Sequence, residues 1–563
     1  MSRRQTDAMQ SVLKRKKMRF TNLLGYILLL HIVLACSSAN KMDKSDGTEW
    51  DGVVDTIIID PSVEYQSMDG FGASDAWRCQ FVGVNWPLEK REGMADLLFS
   101  QELKDDGSPK GIGLSIWRFC IGAGSAEQGI NSGIDHEWRR AECFLNSNGS
   151  YDWSKQMGQQ WFLEAARSRG VEKILAFSLS APVHYTKNGR ANAPSDGQMN
   201  IQPGKMDDYA QFLVDVCDHF NKKGIVIDYL SPVNETQWDW TGHSQEGTPA
   251  TNSEVCEFVG LISKRLIQRG AKTQIVAPEA ARLEYLYGGD DKPGRNNQID
   301  DLFNQHSSNR ITHLPNVANT ISGHSYFTTF PNQTLIDVRR QLGVKLAAST
   351  SQTGYWQSEF SILENTTDIG GGWGRDLSIN TALYVARVIH HDIVLANAKS
   401  WQWWTALSQY DFKDGLIYLD NGNNGINSPE HPDAEVLKFD GQYRESKLLW
   451  ALGNYSRFVR PGMVRVKAIS TAEISEENTA QELMMTAYKD AKSNDLVLVL
   501  VNYSTSAKKL GIGNLDHGLK LNSSTLNGYV TSNEKNLERV VWGVDNIIIP
   551  SRSVVSLVAK IKP

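Results

Sequence analysis

Two glutamates in this chain stand where a pair of carboxylates can do acid–base chemistry. Glu235 lies in the segment 231–237 and Glu359 in the segment 355–360, and each follows an apolar, strand-like run. One carboxylate of such a pair can protonate the leaving oxygen of a glycosidic bond while the other attacks the anomeric carbon. A gap of about 5 to 5.5 Å gives a covalent intermediate and retention, whereas about 6.5 to 9.5 Å admits a water and gives inversion. The pair therefore predicts glycoside hydrolysis, and the residues alone leave the stereochemistry open.

The elements around the glutamates predict a barrel. Strand-like and helix-like segments alternate from about residue 70 to 407, which indicates a parallel sheet closed by crossover connections. The helix expected at about 206–220, which precedes Glu235, carries one apolar stripe and is followed by Gly224; the stripe comprises Tyr209, Phe212, Leu213, Val216 and Phe220. In a (β/α)8 barrel, both glutamates would lie at the carboxyl ends of strands, where barrel enzymes do their chemistry.

The pattern changes after about residue 412. Short β-rich segments such as 496–501 and 546–549 are separated by polar, turn-like stretches, which predicts a β-sandwich. The strand-like segment 56–60 precedes the first barrel strand.

Eight segments in the expected order resemble those of glycoside hydrolase family 30. The resemblance covers nearly the whole chain after the leader and implies an α/β fold, a (β/α)8 TIM barrel with a fused β-sandwich; it also implies that the strand at 56–60 crosses over to join the sandwich. The matching segments are 68–74, 113–118, 176–182, 234–235, Glu359, 401–404, 453–462 and 550–557.

The resemblance implies roles for several polar residues. Glu235 would be the general acid and base and Glu359 the nucleophile of a retaining mechanism. Asn234 resembles the asparagine that bonds the sugar 2-hydroxyl. Arg118 would be the cationic neighbour of Glu359, and Tyr326 would be its hydroxyl donor. His324 and Asp75 are two further residues expected at the substrate.

Aromatic side chains are expected to line a glycan cleft, because sugar rings have apolar faces. The chain has 16 tryptophans, and several fall at or just after predicted strand ends. Trp403 and Trp404 point to opposite sides of a strand, so only one of them can face the sugar. The tryptophans predicted to contact substrate are Trp77, Trp238, Trp356 and Trp404.

Three other features are given structural interpretations. Glu279 also follows an apolar strand, but the family pattern has no catalytic carboxylate there, so we interpret it as cleft-lining or structural. His390 and His391 are adjacent, which is not the i, i+4 spacing of a helical zinc pair. The glycine-rich segment 370–374 lacks the lysine and spacing of a phosphate loop and is expected to form a flexible loop that shapes the cleft. We expect neither a metal nor a cofactor.

The N-terminus predicts export. A basic stretch leads into an apolar run that ends at Cys36, the shape of a signal peptide, and the residues 33–36 resemble a bacterial lipobox. Cys36 would then be lipidated and anchor the protein to the outer membrane or within the periplasm; plain secretion is the alternative. The predicted organisation is a signal peptide at 1–36, a flexible tether at 37–50, strands joining the sandwich at 51–68, the barrel at 69–410 and the sandwich at 411–563.

Composition limits the partners. The 563 residues carry a net charge of -6, which argues against nucleic acid and permits a neutral polysaccharide. Apart from Cys36, the chain has five cysteines without close pairs, which is not a disulfide framework. We expect a monomer whose partner is a polysaccharide or oligosaccharide and whose membrane contact is through the lipid alone.

Two short segments bear on the substrate. Leu179 and the segment 186–189 resemble the branch that contains endo-β-1,6-galactanases, whereas the segment 183–185 departs from it. We therefore favour an endo-acting enzyme that cleaves β-1,6-galactan. A xylanase, a β-1,6-glucanase and an exo-acting β-glycosidase are the alternatives. A non-catalytic carbohydrate-binding lipoprotein is the alternative of another class.

Overall fold

The computed structural model describes residues 50–289, 291–349, 352–422, 433–472, 474–513 and 520–562. The predicted signal peptide, Cys36 and the predicted tether up to residue 49 lie outside these residues. No helix among the described residues is long and apolar enough to cross a membrane. The five cysteines of the described chain are free thiols, and four of them are buried.

Eight parallel strands close into a barrel, with each strand hydrogen-bonded to its neighbours in sequence and the last to the first. The first strand among the described residues, β1 (Trp50–Ser67), is not one of them. The barrel strands are β2 (Gly70–Ser74), β3 (Ile116–Ile121), β4 (Lys173–Ser178), β5 (Tyr229–Ser231), β6 (Gln274–Ala280), β7 (Val317–His324), β8 (Gly354–Glu359) and β9 (Ala398–Trp403).

Helices connect the strands, as parallel pairing requires. The α-helices are Cys79–Asn85, Leu88–Phe99, Ser125–Gln128, Met157–Ser168, Met206–Lys222, Asn252–Arg269, Glu284–Tyr287, Asn332–Ala347, Ile379–Val394, Asp433–Val436, Lys447–Ser456 and Glu476–Thr479. Short 3-10 turns lie at Gly129–Ser132, Glu137–Arg139 and Val183–Tyr185, and a π turn at Ile299–Phe303.

Local sequence explains the helix that precedes Glu235 and the one that follows it. The stripe expected at 206–220 is buried along the helix Met206–Lys222, and Gly224 follows it with φ +84. The next helix begins with a capping box between Thr251 and Glu254 and ends at Gly270, whose left-handed backbone favours glycine. The capping box and Gly270 thus fix the start and the end of the helix that follows Glu235.

A small sheet and a large one complete the fold. The small sheet consists of β10 (Leu407–Ser408), β11 (Ile417–Asp420) and β12 (Gln442–Glu445). In the large one, β1 pairs antiparallel with β13 and parallel with β16. Its other strands are β13 (Val464–Ser470), β14 (Leu483–Lys489), β15 (Asp495–Asn502), β16 (Ala507–Ile512), β17 (Lys520–Leu521), β18 (Thr525–Thr531), β19 (Glu538–Gly543), β20 (Ile547–Ile549) and β21 (Ser553–Lys562).

Alternation along the strands fixes how the large sheet packs. Leu496, Leu498 and Leu500 of β15 join an apolar cluster that receives side chains from most strands of the sheet, so the sheet folds over its own core. Val497 and Val499, which point the other way, join the large core that also contains the barrel's outer layer. The predicted TIM barrel with a second, mostly β unit is thus confirmed.

The barrel interior is layered. Ile116, Leu175, Val276 and Trp356 form one buried apolar layer inside the strands. Two residues further along two of these strands, Arg118 and Ser358 follow on the same side of their strands, because side chains alternate with a period of two. The polar residues described below therefore rest on a filled apolar base, as expected for a barrel of this size.

Candidate active site

The two glutamates meet at the carboxyl end of the barrel. Glu359 is the last residue of β8, and Glu235 lies four residues beyond the end of β5. Each is only 6% exposed. A carboxylate oxygen of Glu235, one of Glu359 and a ring nitrogen of His324 all lie within 4.8 Å of one another. The fold therefore places the two carboxylates close together at the end of the barrel where the sequence pattern predicted them.

Glu359 is held by two donors. Arg118 donates from Nη1 to Oε2, and the Tyr326 hydroxyl donates to Oε1 at 3.0 Å. Burial opposes the charge of Arg118, but Glu359 and Glu279 outweigh it and raise its pKa. Burial also raises the pKa of Tyr326 well above its ordinary value, with the charge of Glu359 adding to the effect, so the phenol keeps the proton that it donates.

Asn234 is fixed by the same arginine. Arg118 donates from Nη2 to the Asn234 Oδ1 at 3.1 Å. This bond turns the amide nitrogen of Asn234 away from Arg118. The guanidinium fork thus positions both the carboxylate of Glu359 and the residue before Glu235.

Glu235 has a different environment. His324, the last residue of β7, places Nδ1 2.9 Å from the Glu235 Oε1. Burial, the largest effect, raises the pKa of Glu235, and the hydrogen bond from His324 opposes it. The backbone of Glu235 is left-handed, with φ 47, and its N–H donates to the Glu279 carbonyl oxygen at 2.8 Å. Burial without a direct arginine partner suits a carboxyl group that must carry a proton.

His324 lies between two carboxylates. Its Nε2 is 3.0 Å from the Glu279 Oε2, while its Nδ1 is bonded to Glu235. Burial would lower the pKa of His324, but the charge of Glu359 and the hydrogen bonds to Glu235 and Glu279 raise it to about 10. When both carboxylates are ionised, hydrogen bonds to both of them require an N–H on each ring nitrogen.

Glu279 and Ser358 belong to this network, although sequence reasoning assigned neither of them a part in the chemistry. Glu279 is completely buried, and its Oε2 also accepts from the Ser358 hydroxyl. Burial would raise the pKa of Glu279, but the hydrogen bond from His324 and the charge of Arg118 lower it overall. The available signal was its position directly after a buried strand, which mirrors that of Glu235.

One predicted tryptophan lies beside the glutamate pair. Trp404 is half-buried, and the Arg118 Cζ lies 5.9 Å from its ring centre. Trp403 points the other way and is buried, so only Trp404 faces the site, as period-two alternation predicted. Phe177, which the sequence did not single out, stacks under the Arg118 Cζ at 3.9 Å.

Trp77 and Trp238 occupy less direct positions. Trp77 is 2% exposed and packs edge-on against Trp404, with ring centres 5.2 Å apart. It therefore supports Trp404 from behind. Trp238 is half-buried, and its backbone N–H donates to the Glu235 carbonyl oxygen at 3.0 Å. Trp238 therefore lies on the turn that carries Glu235.

Two residues predicted to contact substrate, Trp356 and Asp75, lie away from the glutamate pair. Trp356 lies in the apolar layer inside the barrel, and its Nε1 donates to Asp69, just before β2, at 2.8 Å. It is three residues, roughly 10 Å, below Glu359 along the strand. Asp75 is 1% exposed and accepts from the Cys120 N–H at 2.9 Å and the Gln159 Nε2 at 3.1 Å, so it points into the barrel wall.

Two further features singled out in the sequence have the following positions. His390 and His391 are both buried in one helix, and burial lowers the pKa of each, to about 4 for His391. In the glycine-rich segment 370–374, a Cβ on Gly372 would come within 2.2 Å of the Ile362 carbonyl oxygen, so this turn requires a glycine. The turn lies close to the chain that leaves β8.

The comparisons with known proteins agree with this geometry. The sequence model of O-glycosyl hydrolase family 30 matches residues 54–418, which include both glutamates, Arg118, His324 and Trp404. An endo-beta-1,6-galactanase from Hypocrea rufa is 22% identical over 470 residues, covering 80% of this chain and 82% of that protein.

Solved structures share the fold. A conserved exported protein from Bacteroides fragilis is 37% identical with a TM-score of 0.83, covering 89% of this chain and all of that one. The catalytic domain of a xylanase C from Talaromyces cellulolyticus, titled as a member of the same family, is 20% identical with a TM-score of 0.62, covering 90% of this chain and all of that one. At that identity, the second likeness speaks for the fold alone.

Proposed function

The chain belongs to O-glycosyl hydrolase family 30, and we propose that it cleaves a β-linked polysaccharide by a retaining double displacement, with Glu359 as nucleophile and Glu235 as general acid and base. Carboxylate oxygens of the two residues within 4.8 Å carry this proposal. That spacing favours direct attack on the sugar, since inversion needs a gap of about 6.5 to 9.5 Å for a water.

In the first half of the reaction, Glu235 gives its proton to the glycosidic oxygen as the bond to the anomeric carbon breaks. An oxygen of Glu359 bonds to that carbon from the opposite face and forms a glycosyl ester. Arg118 and Tyr326 hold Glu359 and keep its charge in place before attack. A buried carboxyl with a raised pKa, as at Glu235, still carries a proton near neutral pH.

In the second half, Glu235 is the base. It takes a proton from a water whose oxygen attacks the anomeric carbon, and the ester to Glu359 breaks. Two inversions restore the β configuration. Asn234, whose carbonyl oxygen is engaged by Arg118, is placed to donate from its amide nitrogen to the sugar 2-hydroxyl, a contact that strengthens in the transition state.

We further propose that Trp404 stacks on a sugar ring beside the anomeric carbon. Its half-buried ring adjoins Arg118, and the buried Trp77 packs against it edge-on. A rigid aromatic face of this kind suits the apolar side of a pyranose.

The substrate that we propose is β-1,6-galactan, cleaved internally. The relative from Hypocrea rufa, named an endo-beta-1,6-galactanase and matched over most of both chains, supports this choice. Residues 37–563 would be incubated in parallel with β-1,6-galactan, xylan and β-1,6-glucan, and the products separated by chromatography. Short galacto-oligosaccharides from the first glycan alone are expected. Cleavage of another glycan would replace the substrate, and release of a single product length from chain ends would replace endo with exo action.

Export as a lipoprotein remains a proposal from the N-terminal sequence, in which Cys36 would carry the lipid. The relative from Bacteroides fragilis, described as exported, supports the location. In a bacterial host fed radiolabelled palmitate, the full chain should incorporate label and Cys36→Ser should not. Equal absence of label in both proteins, with the leader removed, would favour plain secretion.

A further inference from the structure

The buried Glu279 has no place in the double displacement, yet the structure ties it to both halves of the site. It is the last residue but one of β6, and its backbone is left-handed with φ 57. Its N–H donates to the Ser322 hydroxyl at 3.0 Å, and its carbonyl oxygen accepts from the Glu235 N–H at 2.8 Å. The backbone of Glu279 is therefore joined to the β7 wall and to the turn that carries Glu235.

The side chain of Glu279 reaches the histidine and not the cleft. Its carboxylate is completely buried, and Oε2 accepts from the His324 Nε2 at 3.0 Å and from the Ser358 hydroxyl. The Arg118 Nη2 lies 3.9 Å from the same oxygen. The charged groups that face Glu279 thus come from β3 and β7, and the hydroxyl comes from β8. Tyr355 of β8 is a further titratable group near it.

The hydrogen bonds of His324 restrict its protonation state whenever Glu235 is ionised. Each ring nitrogen faces a carboxylate oxygen, at 2.9 Å for Glu235 and 3.0 Å for Glu279. A neutral imidazole has one N–H, so it can donate to only one of the two. Only an imidazolium satisfies both partners when both are ionised, and a buried imidazolium needs a permanent counter-charge.

We propose that Glu279 is a positioning residue that keeps His324 an imidazolium throughout the catalytic cycle, so that Glu235 always receives an N–H on Oε1 and exchanges its proton with the substrate through Oε2. This inference rests on the proposed function for its catalytic consequence. The protonation of His324 itself can be measured without any substrate.

The charge balance of the site explains why a third carboxylate is needed. Before reaction, Arg118 and His324 carry two positive charges, Glu279 and Glu359 carry two negative ones, and protonated Glu235 is neutral. In the glycosyl ester, Glu359 has lost its charge and Glu235 has gained one. The sum is zero in both states because Glu279 does not change. Without Glu279 the site would hold a net positive charge in both states, unless His324 lost its proton.

Loss of the imidazolium would damage acid catalysis in a specific way. A neutral His324 with its proton on Nε2 would accept a hydrogen bond at Nδ1, and the nearest donor is protonated Glu235. The acid proton would then be held on Oε1, against the histidine and away from the glycosidic oxygen. Removal of the nearby positive charge would also raise the pKa of Glu235 further, since the hydrogen bond from His324 now opposes the effect of burial.

The direct test is nitrogen NMR of the imidazole. Protein labelled with ¹⁵N-histidine would be titrated from pH 6 to 9, and the His324 signals assigned by their loss in His324→Gln. We expect both ring nitrogens of the wild-type residue to remain protonated to at least pH 8. In Glu279→Gln, one of them should lose its proton within this range. A neutral wild-type His324 at pH 7, or an unchanged titration in Glu279→Gln, would overturn the proposal.

Kinetics supply a second readout on whichever glycan the wild type cleaves. Glu279→Gln should lower kcat/KM roughly 10- to 100-fold, the range seen for partners that orient a metal-bound histidine. The basic limb of its pH profile should move to higher pH, because Glu235 would keep its proton longer. Glu279→Asp retains the charge and should restore the wild-type limb at least in part. A lower rate with an unmoved limb would reduce Glu279 to a packing residue and contradict the proposal.

Glu246→Gln is the matched control. Glu246 is another completely buried carboxyl group, but it accepts from Ser125 and from the Ala123 N–H and does not touch His324. It should change neither the His324 titration nor the position of the basic limb. If Glu279→Gln does not fold, the wild-type titration and Glu279→Asp still decide the question. Absence of cleavage of every glycan, with His324 behaving as expected, would count against the proposed function alone.

Discussion

The surroundings of Glu235 and Glu359 differ although the two residues are the same amino acid at the same depth. Both residues lie at the carboxyl end of the barrel, and each is 6% exposed. Glu359 receives a guanidinium and a phenol, whereas Glu235 receives one histidine that is shared with another carboxylate. If Glu359 is the nucleophile and Glu235 the acid, as we propose, donors rather than depth divide these two roles.

Two fully buried carboxyl groups, those of Glu279 and Asp75, show the same contrast. Glu279 is surrounded by His324, Ser358 and Arg118, which lower its pKa against the effect of burial. Asp75 has only a backbone N–H and an amide as direct partners, and burial raises its pKa to about 8. A buried carboxylate therefore stays ionised here only where cations accompany it.

The largest effect should come from removing the nucleophile. Glu359→Ala eliminates the group that bonds to the anomeric carbon, and we expect kcat to fall by roughly 10⁴-fold or more. Added azide should restore turnover and give the α-glycosyl azide, because a single displacement inverts the configuration. Product NMR provides the measurement. A fully active Glu359→Ala would refute the assignment.

A smaller loss, with the opposite stereochemistry, should follow at the acid. Glu235→Ala should lower kcat/KM on polysaccharide by about 10²- to 10⁴-fold, the usual contribution of acid–base catalysis. An aryl glycoside with a good leaving group should still form the ester, because that oxygen needs no proton. Azide should then yield the β-glycosyl azide. If the two variants gave the same anomer, the division of roles drawn from their surroundings would be wrong.

Trp404 and Trp356 provide a third comparison, because the first lies beside Arg118 and the second lies in the apolar layer below the site. Trp404→Ala should raise KM about 10-fold while changing kcat less, since it removes a stacking surface beside Arg118. Trp356→Phe should leave KM unchanged and lower the melting temperature, because it alters only the apolar layer under the site. Steady-state kinetics and thermal unfolding separate the outcomes. A raised KM in Trp356→Phe would return that residue to the cleft.

The smallest expected effect concerns stability at Asp75. Its pKa in the folded state, about 8, lies above the ordinary 3.8, so its contribution to stability is complete below about pH 4 and is lost as pH rises to about 8. Asp75→Asn removes that loss and should raise the melting temperature by roughly a few degrees at pH 9. A clearly smaller rise is expected at pH 5, where most of this contribution is still present. Parallel unfolding scans at the two pH values measure the difference, and an equal shift at both would contradict the raised pKa.

Sequence patterns predicted the barrel, the mostly β unit and the strand-end positions of Glu235 and Glu359. Period-two alternation also separated Trp404 from Trp403. The same reasoning could not give the depth of Trp356, because alternation gives the side of a strand and not the position along it. The resemblance implied that Asp75 contacts the substrate, whereas in the structure it accepts hydrogen bonds from Cys120 and Gln159 in the barrel wall.

The role of Glu279 was beyond sequence reasoning for a related reason. The pairing of β6 with β7 is irregular between Ile275 and Ala280, and Glu279 itself has a left-handed backbone. These local departures turn its carboxylate toward His324 and Ser358. A regular strand drawn from the apolar pattern would not have indicated that contact.

The Glu235–Glu359 pair, as we propose, works by double displacement, and the identity of the anomer released first distinguishes this from direct attack by water. Proton NMR would be recorded within the first minutes of hydrolysis, before the released sugar end equilibrates in water. We predict that the β anomer accumulates first and the α anomer appears only by mutarotation. Initial release of the α anomer would mean a single displacement by water and would contradict the account.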